Sequence, residues 1–165
     1  MSFLGEILSS TEPVLAQSTS HRRSTWDASY WLAIDDPTSQ LARARHAAQK
    51  DTPLVSGDLA ADYYAPRRRP SRGVLYVSSM RSLEESGFAE VRANEASLEI
   101  RVAADPTIVP MAHYWDTSGT HLPDGTNNDL VDPLLAAWDM SRTPGSDVVE
   151  ALDKLRDRTL RMGER

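Results

Sequence analysis

A chain of 165 residues with 40% apolar content is long enough for one domain with a modest core, and its formal charge of −6 argues against a dedicated nucleic-acid binder. The absence of Cys excludes disulfide scaffolds and thiolate metal sites, and no apolar run is long enough to span a bilayer. The start, Met-Ser-Phe-Leu-Gly-Glu, lacks the basic opening and apolar middle of a secretion signal, so assembly in the cytosol is expected.

Residues 1–25 mix Ser, Thr and Gln with a few apolar residues, too polar to pack strongly alone. They read as the main part of an N-terminal arm over 1–38, preceding a domain over 39–165. Trp26 to Ile34 is aromatic-rich and suits helix or strand, and Asp35-Asp36-Pro37 ends it. Thr38 or Ser39 can cap a helix over 40–50, with Leu41, Ala44, Ala47 and Ala48 on one narrow face. Pro53 fixes its own φ and pushes Thr52 out of the helical region, which stops that helix. In the corner Pro53-x-x-Ser56-Gly57-x-Leu59, the Ser56 hydroxyl can cap a second short helix and Gly57 allows a tight turn.

Pro66 to Gly73 is an extended, strongly positive loop holding Arg67, Arg68 and Arg69, with Arg72 just beyond. Residues 74–79 predict a strand covered on both faces. Ala89, Val91 and Ala93 then alternate with Glu90 and Arg92, and Leu98, Ile100 and Val102 alternate with Glu99 and Arg101. With a short loop at 94–97, this predicts an antiparallel hairpin over 88–102 with one buried face and its charges in water. Ala89, Val91, Leu98, Ile100 and Val102 are its expected core.

Residues 108–115 suit a short helix or an irregular apolar segment, and 116–128 form a polar loop. Asp132 as cap and Pro133 at the first helical position start a helix through about Met140 that carries Leu134, Leu135 and Trp138. Asp147 and Glu150 can box the start of a last helix over 147–162, with Val148, Leu152, Leu155 and Thr159 in one stripe and Gly163 as its stop. The expected fold is α+β: a small antiparallel sheet centred on the 88–102 hairpin, with packed helices and an extended N-terminal arm.

Reactive groupings are sparse. His113, Asp116 and His121 could ligate a metal, but their spacing fits no established ligand pattern, and a polar loop is the plainer reading. A small metal-dependent hydrolase using those three residues is the alternative function. The pairs Asp35-Asp36 and Glu84-Glu85 read as caps and turns in an acidic chain. Gly57 and Gly73 stand alone, so no phosphate-cradling loop is expected. Arg67, Arg68 and Arg69, held extended between prolines, could meet DNA or a neighbour's carboxylates. Trp26, Trp31, Trp115 and Trp138 are more large rings than a small core needs, which places at least one at a subunit boundary.

In order along the chain, these parts resemble the neck or tail-completion proteins of long-tailed bacteriophages and gene-transfer particles. The resemblance lies in the corner Pro53 to Leu59, the hairpin 88–102, the aromatic segment Tyr114 to Gly119, the stretch Asp132-Pro133-Leu134-Leu135-Ala136-Ala137, and a final helix. It covers roughly residues 40–162, although Asp132 stands where that family often has a basic residue. It implies a structural virion protein, a hexamer-type homo-oligomeric ring at the head–tail junction, with no chemistry and no cofactor. Its partners would be further copies of itself, an adjacent head-completion or connector protein, and a tail terminator or major tail protein. DNA would pass only transiently through the lumen, and no membrane is involved. A third reading, an acidic immunity or antitoxin-type protein, would show itself by a tight basic partner.

Overall fold

The computed structural model describes residues 27–66, 69–114 and 129–163. The aromatic segment resolves as strand β1, Ala28–Leu32. Asp36 then does more than end it. Its carboxylate accepts from the backbone N–H groups of Thr38 and Ser39, and Pro37 occupies the first turn, so helix α1 spans Pro37–Ala47. The cap is therefore Asp36 rather than Thr38 or Ser39. Basic residues Arg45 and His46 lie in the last turn, where they oppose the helix dipole.

The corner forms as strand β2, Leu54–Ser56, running directly into helix α2, Gly57–Tyr64. Gly57 has φ of +67°, and a Cβ there would lie 3.1 Å from Val74 Cγ2. A side chain at this point would meet both backbone strain and a steric clash. Strand β3, Gly73–Val77, is buried at every residue, as its unbroken apolar run predicts. Strands β4, Ala89–Glu90, and β5, Leu98–Val102, follow. The chain then forms helix α3, Ile108–Tyr114, helix α4, Pro133–Ser141, and helix α5, Val148–Gly163. Asp132 caps α4 by accepting from Leu134 and Leu135 N–H at 2.9 and 3.1 Å, as the Asp-Pro start predicts.

The architecture is α+β, but its sheet is not centred on a hairpin. The strand order is β2-β3-β5-β1-β4, with β3 and β5 parallel and the other pairs antiparallel. β4 and β5 never pair, because β1 lies between them: Trp31 faces Leu98 on one side and Glu90 on the other. The expected hairpin over 88–102 is thus replaced by two strands gripping a third. Alternation along 89–93 and 98–102 marks which residues share a face, but it carries no information about the neighbouring strand. For the same reason the arm expected over 1–38 does not reach that far, since residues 28–32 are integral to the sheet.

Both ends of the sheet are protected. Beyond β2, Val55 N–H donates to Asp129 O and Val55 O accepts from Val131 N–H, so residues 129–131 cover that edge. The opposite edge, β4, is two residues long. Short or covered edges remove the templates on which sheets associate. The core runs through Val55, Leu75, Leu83, Leu98, Ile100, Val131, Met140 and Leu155, all essentially without solvent contact. Each such side chain contributes about 1.5–3 kcal/mol of burial free energy. Ala89 is exposed and Val91 only half-buried, so those two expected core residues lie outside it. Among the described residues, no helix is long and apolar enough to cross a membrane.

Candidate functional site

Glu99 and Arg101 alternate with Leu98, Ile100 and Val102, the pattern of a strand with one face in water. In the structure both charged residues are buried, at 7% and 4% exposure. The reason lies on α4, where Asp139 stands between Trp138 and Met140 and turns its carboxylate onto the sheet. Arg101 Nη1 donates to Asp139 Oδ1 in an ion pair, and Arg101 Nε donates to Glu99 Oε1 at 2.6 Å. Arg72 Nη2 donates to Glu99 Oε2 at 3.0 Å, and Arg72 Nη1 reaches Ala93 O at 3.2 Å. Charges therefore alternate along the row Asp139, Arg101, Glu99, Arg72, and they sum to zero. A buried row of this kind is tolerable only because each charge faces an opposite one.

Two hydroxyls complete the ligation of Asp139 Oδ2: Ser56 Oγ donates at 2.6 Å and Tyr76 OH at 3.0 Å. Tyr76 OH also accepts from Arg101 Nη1 at 3.0 Å. Burial pushes the Tyr76 phenol well above its usual range, and the neighbouring Asp139 carboxylate adds to that shift. For Arg101, burial alone would lower the pKa, but the hydrogen bond to Glu99 and the Asp139 charge outweigh it and raise it. Neither group changes protonation across the physiological range. The cluster is thus a fixed electrostatic clamp joining β2, β3 and β5 to α4.

At the surface end of this row, Tyr30, Arg72, Glu99, Arg101, Arg142 and Thr143 line a cleft of about 150 Å³. The Arg72 guanidinium lies 5.7 Å from the Tyr30 ring centre. Trp138, half-buried, is flanked by Arg101 at 5.8 Å and Arg142 at 4.8 Å. Both distances are within the range of cation–π attraction.

The residues singled out in the sequence are scattered. Trp31 is buried, with its indole N–H donating to Ser29 Oγ at 2.7 Å, so it serves the core and not an outer boundary. Trp138 belongs to the clamp. Trp26, Arg67, Arg68, Trp115, Asp116 and His121 lie outside the described residues, while His113 is exposed on α3. Arg69 is exposed, whereas Arg72, in the same strongly positive loop, is held by Glu99. Pro53, Ser56, Gly57, Leu59 and Pro133 are buried, Leu135 partly so, and Leu134 is exposed. Ser56 occupies the cap position of α2 but makes no side-chain cap bond, because its hydroxyl is committed to Asp139. Among the described residues, no group of three His, Asp or Glu side chains is placed to hold a metal ion.

The clamp has little signature in the sequence. Its one local signal is Asp139, a lone carboxylate in the otherwise apolar stretch Leu134 to Met140. Opposite charges at 99 and 101, two residues apart on a strand, are the other half of the pattern. No protein-family model, curated protein or solved structure matches this chain.

Proposed function

We propose that this protein is a structural subunit that acts through protein–protein contact, and that its assembly is the neck ring of a long-tailed phage or gene-transfer particle. The observation that carries the proposal is helix α3. Of its seven residues only Ala112 is buried, while Val109, Met111 and Tyr114 project large apolar groups into solvent. Three such side chains on two turns of helix favour a macromolecular neighbour over water. The placement in a virion neck draws on the order of parts along the chain: the Pro53–Leu59 corner, the capped helix at Asp132–Ala137 and the final helix. One part of that order is altered, since β1 separates the two strands of the expected hairpin.

In this role the chain would meet further copies of itself, a connector protein on the capsid side and a tail protein on the other, without a cofactor. Mass measurement and negative-stain imaging of the full chain, alone and mixed with the products of its neighbouring genes, test the proposal. Closed rings, or a stable complex with a portal or tail protein, are the expected result. A chain that stays monomeric beside every particle component overturns it.

A further inference from the structure

The chain is acidic overall, yet one face of α5 is not. Lys154, Arg158 and Arg161 stand four and three residues apart, a spacing that sets them in one stripe along the helix. All three are exposed. At 1.5 Å of rise per residue the stripe is about 10 Å long. With Tyr63, Tyr64, Ala65 and Pro66 from the end of α2, these residues line an open groove of about 470 Å³.

Among the described residues lining this groove, three cations face one acid. Its one acid, Asp157, lies 3.4 Å from Arg156, which also pairs with Asp153. Lys154, Arg158 and Arg161 have no ion pair among the described residues. Arg69, exposed in the segment that leaves α2, adds a further cation on the same connection. A net charge of −6 therefore coexists with a local cluster of the opposite sign. Total charge is an average, and binding answers to the local field.

We propose that this groove binds the phosphate backbone of nucleic acid. Guanidinium groups present planar forks that match phosphate oxygens, and two of the three cations on the stripe are Arg. A regular row of charges about 10 Å long matches the axial rise of about three nucleotides of a duplex. Tyr63, half-buried in the wall, offers a ring beside that row for sugar or base. Contacts made to phosphates carry no sequence information, so binding is expected to be independent of sequence and strongly salt-dependent. The inference does not rest on the assembly role and stands even if no ring forms.

Fluorescence anisotropy with a labelled mixed-sequence duplex and its single strand tests it, using the full chain between about 50 and 200 mM salt. Three phosphate contacts predict a log–log salt slope of about −2 to −3. The triple variant Lys154→Gln, Arg158→Gln, Arg161→Gln should lose about tenfold or more in affinity at the low-salt end. Its melting temperature should be unchanged, because the three side chains are exposed. Should that variant fold poorly, Arg158→Gln alone should reduce the slope by about 0.9 on duplex. The relative affinities for duplex and single strand identify the favoured form. No DNA binding at the lowest salt, unchanged binding by the variants, or tighter binding of polyglutamate than of DNA would each overturn the proposal.

Discussion

Arg101 and Asp139 form an ion pair inside the fold, with side-chain exposures of 5% and 0%. Thirty-eight residues apart, they join the central strand β5 to helix α4. Both side chains are almost wholly withdrawn from solvent, so the loss of either partner leaves a buried charge. Arg101→Met should therefore cost about 3–5 kcal/mol, because it leaves the Asp139 carboxylate with only two hydroxyl donors. Asp139→Asn should cost a similar amount by leaving Glu99 and the neutral Tyr76 hydroxyl as the remaining partners of Arg101. Urea unfolding of the two single variants and the double variant measures the coupling. The double variant should be more stable than the sum of the singles predicts. Single losses under about 1 kcal/mol would show that the pair does not hold α4 to the sheet.

Gly57 and Gly87 both have positive φ, at +67° and +79°, yet substitution should affect them unequally. An added Cβ at Gly57 meets Val74 Cγ2 at 3.1 Å, a branched side chain packed in the core. At Gly87 it meets Arg43 Nη1 at 3.3 Å, the far end of a flexible side chain that can move aside. Gly87→Ala should cost about 1–2 kcal/mol, mostly backbone strain. Gly57→Ala should cost about 1–3 kcal/mol more, through the added overpacking. Thermal melting of the two variants in parallel gives the ranking, and equal losses would contradict it.

The cap of α1 predicts a pH dependence. Hydrogen bonds from the Ser39 side chain and backbone hold the Asp36 carboxyl below its ordinary value of 3.8. A carboxyl whose folded pKa is depressed contributes stability above the unfolded value and loses it as pH falls through the folded one. Asp36→Ala should therefore melt at a lower temperature than the parent at pH 7. The gap should close as the pH drops below 3.8 toward the folded pKa. A gap that persists unchanged at the acidic end would mean that the charged cap is not what fixes the helix start.

The contrast between these elements shows what a linear sequence conveys. Asp132-Pro133 and Pro53 act on their own backbone within one turn, so helix α4 and the corner before α2 are legible from neighbouring residues. Pairing partners are different. Nothing in Ala89 to Val102 announces that β1, some sixty residues upstream, inserts between the two halves. Glu99 and Arg101 looked like a wet face because alternation identifies two faces and does not say whether the second is covered. Asp139 covers it, and the electrostatic match between them exists only in the folded chain. Ser56 illustrates the same limit, since its local role as a cap gives way to a hydroxyl donor for that distant carboxylate.

Helix α3 supplies the test of surface function that leaves the fold intact. Met111 is 44% exposed and Tyr114 80%, so neither contributes much to the core. The double variant Met111→Ser, Tyr114→Ser should therefore lower the unfolding free energy by no more than about 1 kcal/mol, about 0.5 for each surface substitution. If these side chains are buried by a second protein, their loss should weaken that association by about 2 kcal/mol or more, since aromatic anchors dominate such contacts. Val149, 69% exposed on α5, is the control: Val149→Ser alters a comparable apolar surface on another element. Sedimentation velocity of the three proteins, alone and with candidate partners, separates the cases. Loss of association in the α3 variant alone places the contact on that helix. Equal behaviour of all three would show that α3 carries no contact and would remove the observation on which the assembly proposal stands.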